Sequence, residues 1–368
     1  MGNIYLDHAS ATPLVDEARA AMQPWLAHTA DPARVHSAGR EARVAVEAAR
    51  DQVGGYLGVR PRDVVFTSSG TEALNWVVYA AAGLVPGHPE PWGSKLVVSE
   101  AEHSAVLDPA RRGAKRAGLD LVEVPVDADG RVVPFDVPED AALVAVQHVN
   151  HETGVIQPVG GIAERCRDAG VRLLVDACQP SGDAIPGADF VVVSSHKLGG
   201  PEGIGALGMA RRIRIPALFV GGEQELLRRA GGENVAGAVG FGAAVTAPRP
   251  NLKALRDRLA AGLEDIDGVC LLGAAALRAP HIVCVTVPGL SGEALLLGLD
   301  KAGICANSGS SCSAERLEPS HVLLAMGADA DASLRFSLGA GSQESDVDAV
   351  LDVLPGLVRD LRELTRQA

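Results

Sequence analysis

Four side-chain types stand where apolar runs end, and each has a plain reading and a chemical one. In 190-FVVVSSHKLGGPEGIGALG-208, Lys197 follows a strand-like run and precedes several glycines. A lysine there is either a solvated charge at a strand-to-loop junction or an amine at the mouth of a site, where desolvation makes it a nucleophile or Schiff-base partner. Asp176 ends the run in 172-RLLVDACQPSG-182; a carboxylate buried there needs a cationic partner. His103, in 96-LVVSEAEHSAVLD-108, lies between a strand and a helix, as a cap or surface residue or as a planar wall of a site. In 64-VVFTSSGTEALNWVVYAA-81, Ser68, Ser69 and Gly70 turn a strand into a helix opening with Thr71 and Glu72. Such residues serve as an ordinary N-cap or, with the free N–H groups of the helix start, as a phosphate cradle.

A phosphate cradle, a planar ring, a carboxylate and a lysine converging on one sheet edge match the needs of pyridoxal 5'-phosphate: N–H donors, a stacking partner, a partner for the ring nitrogen and an amine for the aldehyde. Cysteine adds a further candidate. Cys312 lies in 307-NSGSSCSAERLEPS-320, among small polar residues that favour an accessible, reactive thiol. Cys166, Cys178, Cys270, Cys284 and Cys305 have contexts that read as packing. No C-x-x-C pair or zinc-like His spacing occurs, so no metal is expected.

Positioning these groups requires a sheet with its carboxyl ends gathered. Strand-like runs at 64–67, 95–99, 119–124, 142–149, 171–177 and 190–195 alternate with amphipathic stretches such as 104–118 and 161–170. Near-continuous apolar runs separated by helices predict a mostly parallel α/β sheet covered on both faces, whose sites lie at the strands' carboxyl ends. Two prolines in 247-APRPNLKAL-255 mark a break. Beyond it, runs at 281–287 and 334–340 with a helix near 291–302 predict a smaller C-terminal α/β unit. The expected division is a large cofactor domain over 15–247 and a small domain made of 1–14 and 248–368.

Composition narrows the class. The 368 residues are 47% hydrophobic and only 3% aromatic, so Ala, Val and Leu must build the core. A net charge of −13 argues against a nucleic-acid or anionic-membrane partner. No run approaches a membrane span, no signal peptide is visible, and the cysteine usage fits a reducing, cytoplasmic home.

The chain also resembles the cysteine desulfurases, the NifS/IscS-like branch of the class V aminotransferase group. The resemblance runs through YLDHASATPL, DPARVHSAGREA, VFTSSGTEALN, EAEHSAVLD, HVNHETGVIQPV, VDACQ, SSHKLGGPEGIGAL, NSGSSCSAERLEPSHVLLAMG and LRFSLG. It implies a pyridoxal-phosphate-dependent transferase of fold type I, acting as a homodimer on L-cysteine to give L-alanine. Lys197 would form the Schiff base with the cofactor. Gly70, Thr71, Ser194 and His196 would hold its phosphate, His103 would stack on its ring and shuttle protons, Asp176 would pair with the ring nitrogen, and Gln179 would bond the phenolic oxygen. Arg335 would clamp the substrate carboxylate. Cys312, on a segment like that of the long-loop branch, would take the sulfur as a persulfide and pass it to a protein or small-molecule acceptor, destined for iron–sulfur clusters, thiolated RNA, a cofactor or a metabolite. Three positions differ from the family pattern: His151 replaces the Asn that contacts cofactor and substrate, Gly232 replaces a phosphate-binding Thr, and Asp31 replaces an Asn. The alternative is another class V pyridoxal enzyme, an aminotransferase or a selenocysteine/cysteine C–S lyase, which keeps Lys197 and Asp176 but needs no Cys312.

Overall fold

The computed structural model describes residues 3–29, 31–182, 185, 187–308 and 319–367. Cys312 lies outside them. The main sheet contains β2 (Val64–Thr67), β3 (Lys95–Ser99), β4 (Asp120–Val124), β5 (Ala141–Gln147), β6 (Leu173–Asp176), β7 (Phe190–Ser194) and β8 (Gly205–Met209), in the order β2-β8-β7-β6-β5-β3-β4. Neighbours from β4 to β7 pair in parallel; β8 runs antiparallel to both β2 and β7. A short strand β1 (Ile4–Tyr5) pairs in parallel with β11 (Ile304–Cys305), and β9 (Cys270–Leu271), β10 (Ile282–Thr286) and β12 (Ser333–Ser337) form an antiparallel sheet in the order β12-β10-β9.

The helices are α1 (Asp16–Leu26), α2 (Ser37–Leu57), α3 (Gly70–Ala81), α4 (Ser104–Ala117), α5 (Val159–Ala169), the one-turn α6 (Gln224–Leu227), α7 (Val235–Thr246), α8 (Lys253–Glu264), α9 (Gly292–Lys301), α10 (His321–Ala325) and α11 (Glu344–Gln367). The period-2 geometry of each strand sends alternate side chains to opposite faces. Phe190 and Val192 join the core under α3 and α4, whereas Val191 and Val193 pack with Val46, Ala49 and Phe241 of α2 and α7. A further core lies between the sheet and α5 and α10, and the C-terminal unit has its own, built from Val283, Val285, Phe336 and the inner face of α11. Burying each such Val is worth about 1.5–3 kcal/mol. The fully buried β5, β6 and β7 therefore make a rigid platform for the turns at their carboxyl ends.

One strand has no counterpart among the runs read from the sequence, and one expectation needs correction. The stretch 205-GALGM-209 is a full strand, although its small residues and glycines carry no strand signal; its pairing with β2 and β7 on both sides makes it one. Cys270 does not pack as a core residue: it sits on the two-residue edge strand β9 and is exposed. Cys166, Cys178 and Cys284 are buried, and Cys305 is half-buried. Among the described residues no helix is long and apolar enough to cross a membrane.

Candidate active site

A cavity of about 320 Å³ opens at the carboxyl ends of β6 and β7. Its walls include Ser69, Gly70 and Thr71 from the start of α3, His103 ahead of α4, His151 after β5, Asp176 at the end of β6, and Ser194, His196 and Lys197 at the end of β7. Ala9 and Ser10 close it from the N-terminal segment, and Arg335 reaches it from β12. Residues far apart in sequence meet there because parallel strands deliver their C-terminal turns to one edge.

Local sequence explains each placement. Ser69, extended at φ −170°, caps α3 by accepting the Glu72 N–H at 3.1 Å, while Glu72 Oε2 accepts from Ser68 N at 2.9 Å. This leaves the first N–H groups of α3 beside the cavity. Gly205 on β8 lies under that turn: a Cβ there would be 2.5 Å from the carbonyl carbon of Ser69. Lys197 occupies a single 3₁₀ turn, Ser195–Lys197, and the chain then bends through Gly199 at φ +78°, a conformation that favours glycine. The ammonium of Lys197 has no hydrogen bond or ion pair among the described residues. Asp176 is buried, and its Oδ1 accepts the Cys178 N–H at 2.9 Å. Ser194 Oγ and His196 Nδ1 lie 3.0 Å apart at the β7 end.

His103 N-caps α4, its Nδ1 accepting from Ala105 N at 3.0 Å, which assigns the ring proton to Nε2. Burial first, and the Lys197 charge second, push its pKa down to about 4, against an opposing pull from Asp176. His103 therefore stands as a neutral imidazole at pH 7. The His151 ring meets it edge-on, centroids 4.9 Å apart. Burial, helped by His103, Lys197 and Arg335, also holds His151 well below the ordinary histidine range. Its Nδ1 is buried without a partner among the described residues, and its Nε2 is 3.5 Å from Glu152 Oε1. Glu152 in turn accepts a 2.6 Å hydrogen bond from Ser320 Oγ, the N-cap of α10; burial pushes its carboxyl above the usual range.

Of the residues singled out in the sequence, Gly70, Thr71, His103, His151, Asp176, Ser194, His196, Lys197 and Arg335 are thus brought together. Gln179 is not in this wall. Its amide donates to Ala9 O at 2.7 Å, its Oε1 is 3.4 Å from His281 Nε2, and it borders a larger concavity of about 1040 Å³ that contains neither Lys197 nor Asp176. The sequence did not point to Asp7, Ser10, Glu152 or Ser320. They make contacts across 168 to 328 positions of sequence, and their only local signal is a polar residue in a short turn.

The donor set fits pyridoxal phosphate. Helix-start N–H groups and hydroxyls gather at one end, a lysine without a hydrogen bond or ion pair among the described residues at another, a buried carboxylate sits on the sheet edge, and an imidazole forms a wall. The fold and site define a fold-type I pyridoxal-phosphate enzyme. The aminotransferase class-V family matches residues 4–350. A curated IscS-like cysteine desulfurase of Mycobacterium tuberculosis is 39% identical over 97% of both chains. A cysteine desulfurase IscS of Dictyoglomus turgidum is 34% identical over 98% of this chain and 96% of its own. Among solved structures, a NifS-like protein superposes with a TM-score of 0.87 at 28% identity, covering 98% of this chain and 100% of the other. A structure described as SspA in complex with cysteine gives 0.78 at 27% identity over 91% and 99%. The chain belongs to the aminotransferase class-V family and, within it, to the cysteine desulfurases of the IscS/NifS type.

Proposed function

We propose that this protein is a cysteine desulfurase that converts L-cysteine to L-alanine, leaves the sulfur as a persulfide on Cys312 and hands it to an acceptor protein or small molecule. The observation that carries the reading is the convergence of Lys197, Asp176, His103 and Arg335 on one cavity. Bound pyridoxal phosphate supplies an aldehyde that condenses with amines and a ring that withdraws electrons from the α-carbon.

The chain's residues do the rest. The start of α3 with Ser194 and His196 holds the phosphate. Asp176 would keep a proton on the ring nitrogen and His103 would lie against the ring, whereas Gln179, bonded to Ala9 and His281, is given no contact with the cofactor. Lys197 would hold the cofactor through its amine, and that amine is the base placed to take the α-proton of the substrate. Arg335, with the neighbouring His151, binds the substrate carboxylate. The Cys312 thiolate attacks the substrate sulfur; the carbon–sulfur bond breaks, its electron pair stays with the carbon fragment that is protonated to alanine, and the new sulfur–sulfur bond remains on the enzyme. We assign residues 15–247 to the cofactor domain and 1–14 with 248–368 to the small domain, and expect a cytoplasmic homodimer.

The test is incubation with L-cysteine while alanine is measured, with Lys197→Ala as the control. Alanine at the wild-type rate from that variant refutes the assignment of Lys197.

A further inference from the structure

Arg335 reaches the cavity with its guanidinium already engaged. Both hydrogens of Nη2 are donated, to Asp7 Oδ1 and to Ser10 Oγ, each at 2.7 Å. Nη1 donates to the His151 carbonyl at 2.8 Å, and Nε is buried without a partner among the described residues. A carboxylate is gripped bidentately by two parallel N–H groups along one edge of a guanidinium. Both usable edges, Nη1/Nη2 and Nε/Nη2, include Nη2. As it stands, Arg335 cannot offer either edge.

The two members of the ion pair are unequally placed. The side chain of Arg335 is 2% exposed and locked in β12, where it faces Cys284 of β10, and its backbone pairs in both directions with Asn307. The side chain of Asp7 is 19% exposed. Its remaining partners are small polar groups: Ser10 Oγ donates to Oδ1 at 2.9 Å and Asn307 Nδ2 to Oδ2 at 3.1 Å. If one partner yields, it is the carboxylate that can turn toward water.

We propose that Asp7 is an internal competitor for the substrate carboxylate: it holds Nη2 of Arg335 before the substrate arrives and is displaced when the substrate binds. This rests on the reading of Arg335 as the carboxylate-binding residue and adds a specificity determinant to it. A substrate without a carboxylate gains nothing from displacing Asp7, so the pair rejects simple thiols and amines. An amino acid recovers the cost through two charge-assisted hydrogen bonds. Asp7 is also bonded to Asn307, which immediately precedes the stretch leading to Cys312, so carboxylate binding changes the contacts of that strand end.

The experiment compares the holoenzyme with Asp7→Asn, which keeps size and a hydrogen-bonding oxygen but removes the charge. Dissociation constants are measured for L-alanine, which carries the carboxylate, and for cysteamine, which lacks it. Asp7→Asn should bind L-alanine about tenfold more tightly, the factor expected when a charge-assisted partner stops competing, and KM for L-cysteine should fall alongside it while kcat changes little. Cysteamine affinity should not move. Asp7→Ser, checked by thermal melting, gives the same comparison should the asparagine variant fold poorly. Equal or weaker L-alanine binding in the folded variants overturns the inference, because Asp7 would then be holding Arg335 in place for the substrate. A protein that turned over no L-cysteine but bound L-alanine more tightly after the change would keep the inference and lose the desulfurase reading.

Discussion

Gly205→Ala tests whether the close approach of β8 to the start of α3 sets cofactor binding. The added methyl would lie 2.5 Å from Ser69 C, 2.8 Å from Gly70 N and 2.9 Å from Ser69 O. All three neighbours are backbone, so no side chain can turn away. Gly205 cannot retreat either, since its strand is paired opposite Thr67 on one side and Ser194 on the other. The turn must therefore move by roughly half an ångström or more, carrying the Gly70 and Thr71 N–H groups with it. Overpacking of this kind costs about 1–3 kcal/mol of stability, and misplacing the phosphate donors should weaken cofactor binding by about tenfold or more. Chemical denaturation gives the first quantity and titration of the apoprotein with pyridoxal phosphate the second. Gly160→Ala, at a helical position with open space around the new methyl, is the control and should be neutral or slightly stabilising. Wild-type stability and cofactor affinity in Gly205→Ala would refute the argument.

Asp176→Asn should retain cofactor but lose about a hundredfold or more in turnover, because a neutral amide no longer holds the ring-nitrogen proton; near-normal rates would place that proton on another partner. Acidification should destabilise the fold between the ordinary histidine pKa of 6.5 and the folded value of about 4 for His103. The unfolded chain takes up that proton first, so stability is intact above pH 6.5 and falls as the pH drops toward 4, which denaturation midpoints across this range would reveal. Lys197→Ala removes a positive charge that lowers His103, so the histidine pKa read by NMR should rise; an unchanged or lower value would contradict the cavity electrostatics.

The strands of the main sheet were legible because buried β-branched runs have few other uses, and the site came with them because catalytic groups stand at their carboxyl ends. What was illegible has a common cause. β8 is defined by its neighbours on both sides, not by its own glycine-rich sequence. The Asp7–Arg335 pair and the Ser320–Glu152 bond join residues distant in the chain, so no local spacing announces them. Cys270 looked apolar in context but falls on an edge strand with no cover. Gln179 lies next to the right strand end, yet its amide turns to Ala9 and His281.

The central claim is sulfur transfer through Cys312, and one measurement meets it directly. The wild-type protein is mixed with a single equivalent of L-cysteine, alanine is quantified, and the cysteine-containing peptides are weighed by mass spectrometry without reductant. The account predicts alanine together with one added sulfur atom on the Cys312 peptide, and neither from Cys312→Ser despite an unchanged cofactor absorption band. Alanine released at the wild-type rate by Cys312→Ser would contradict it.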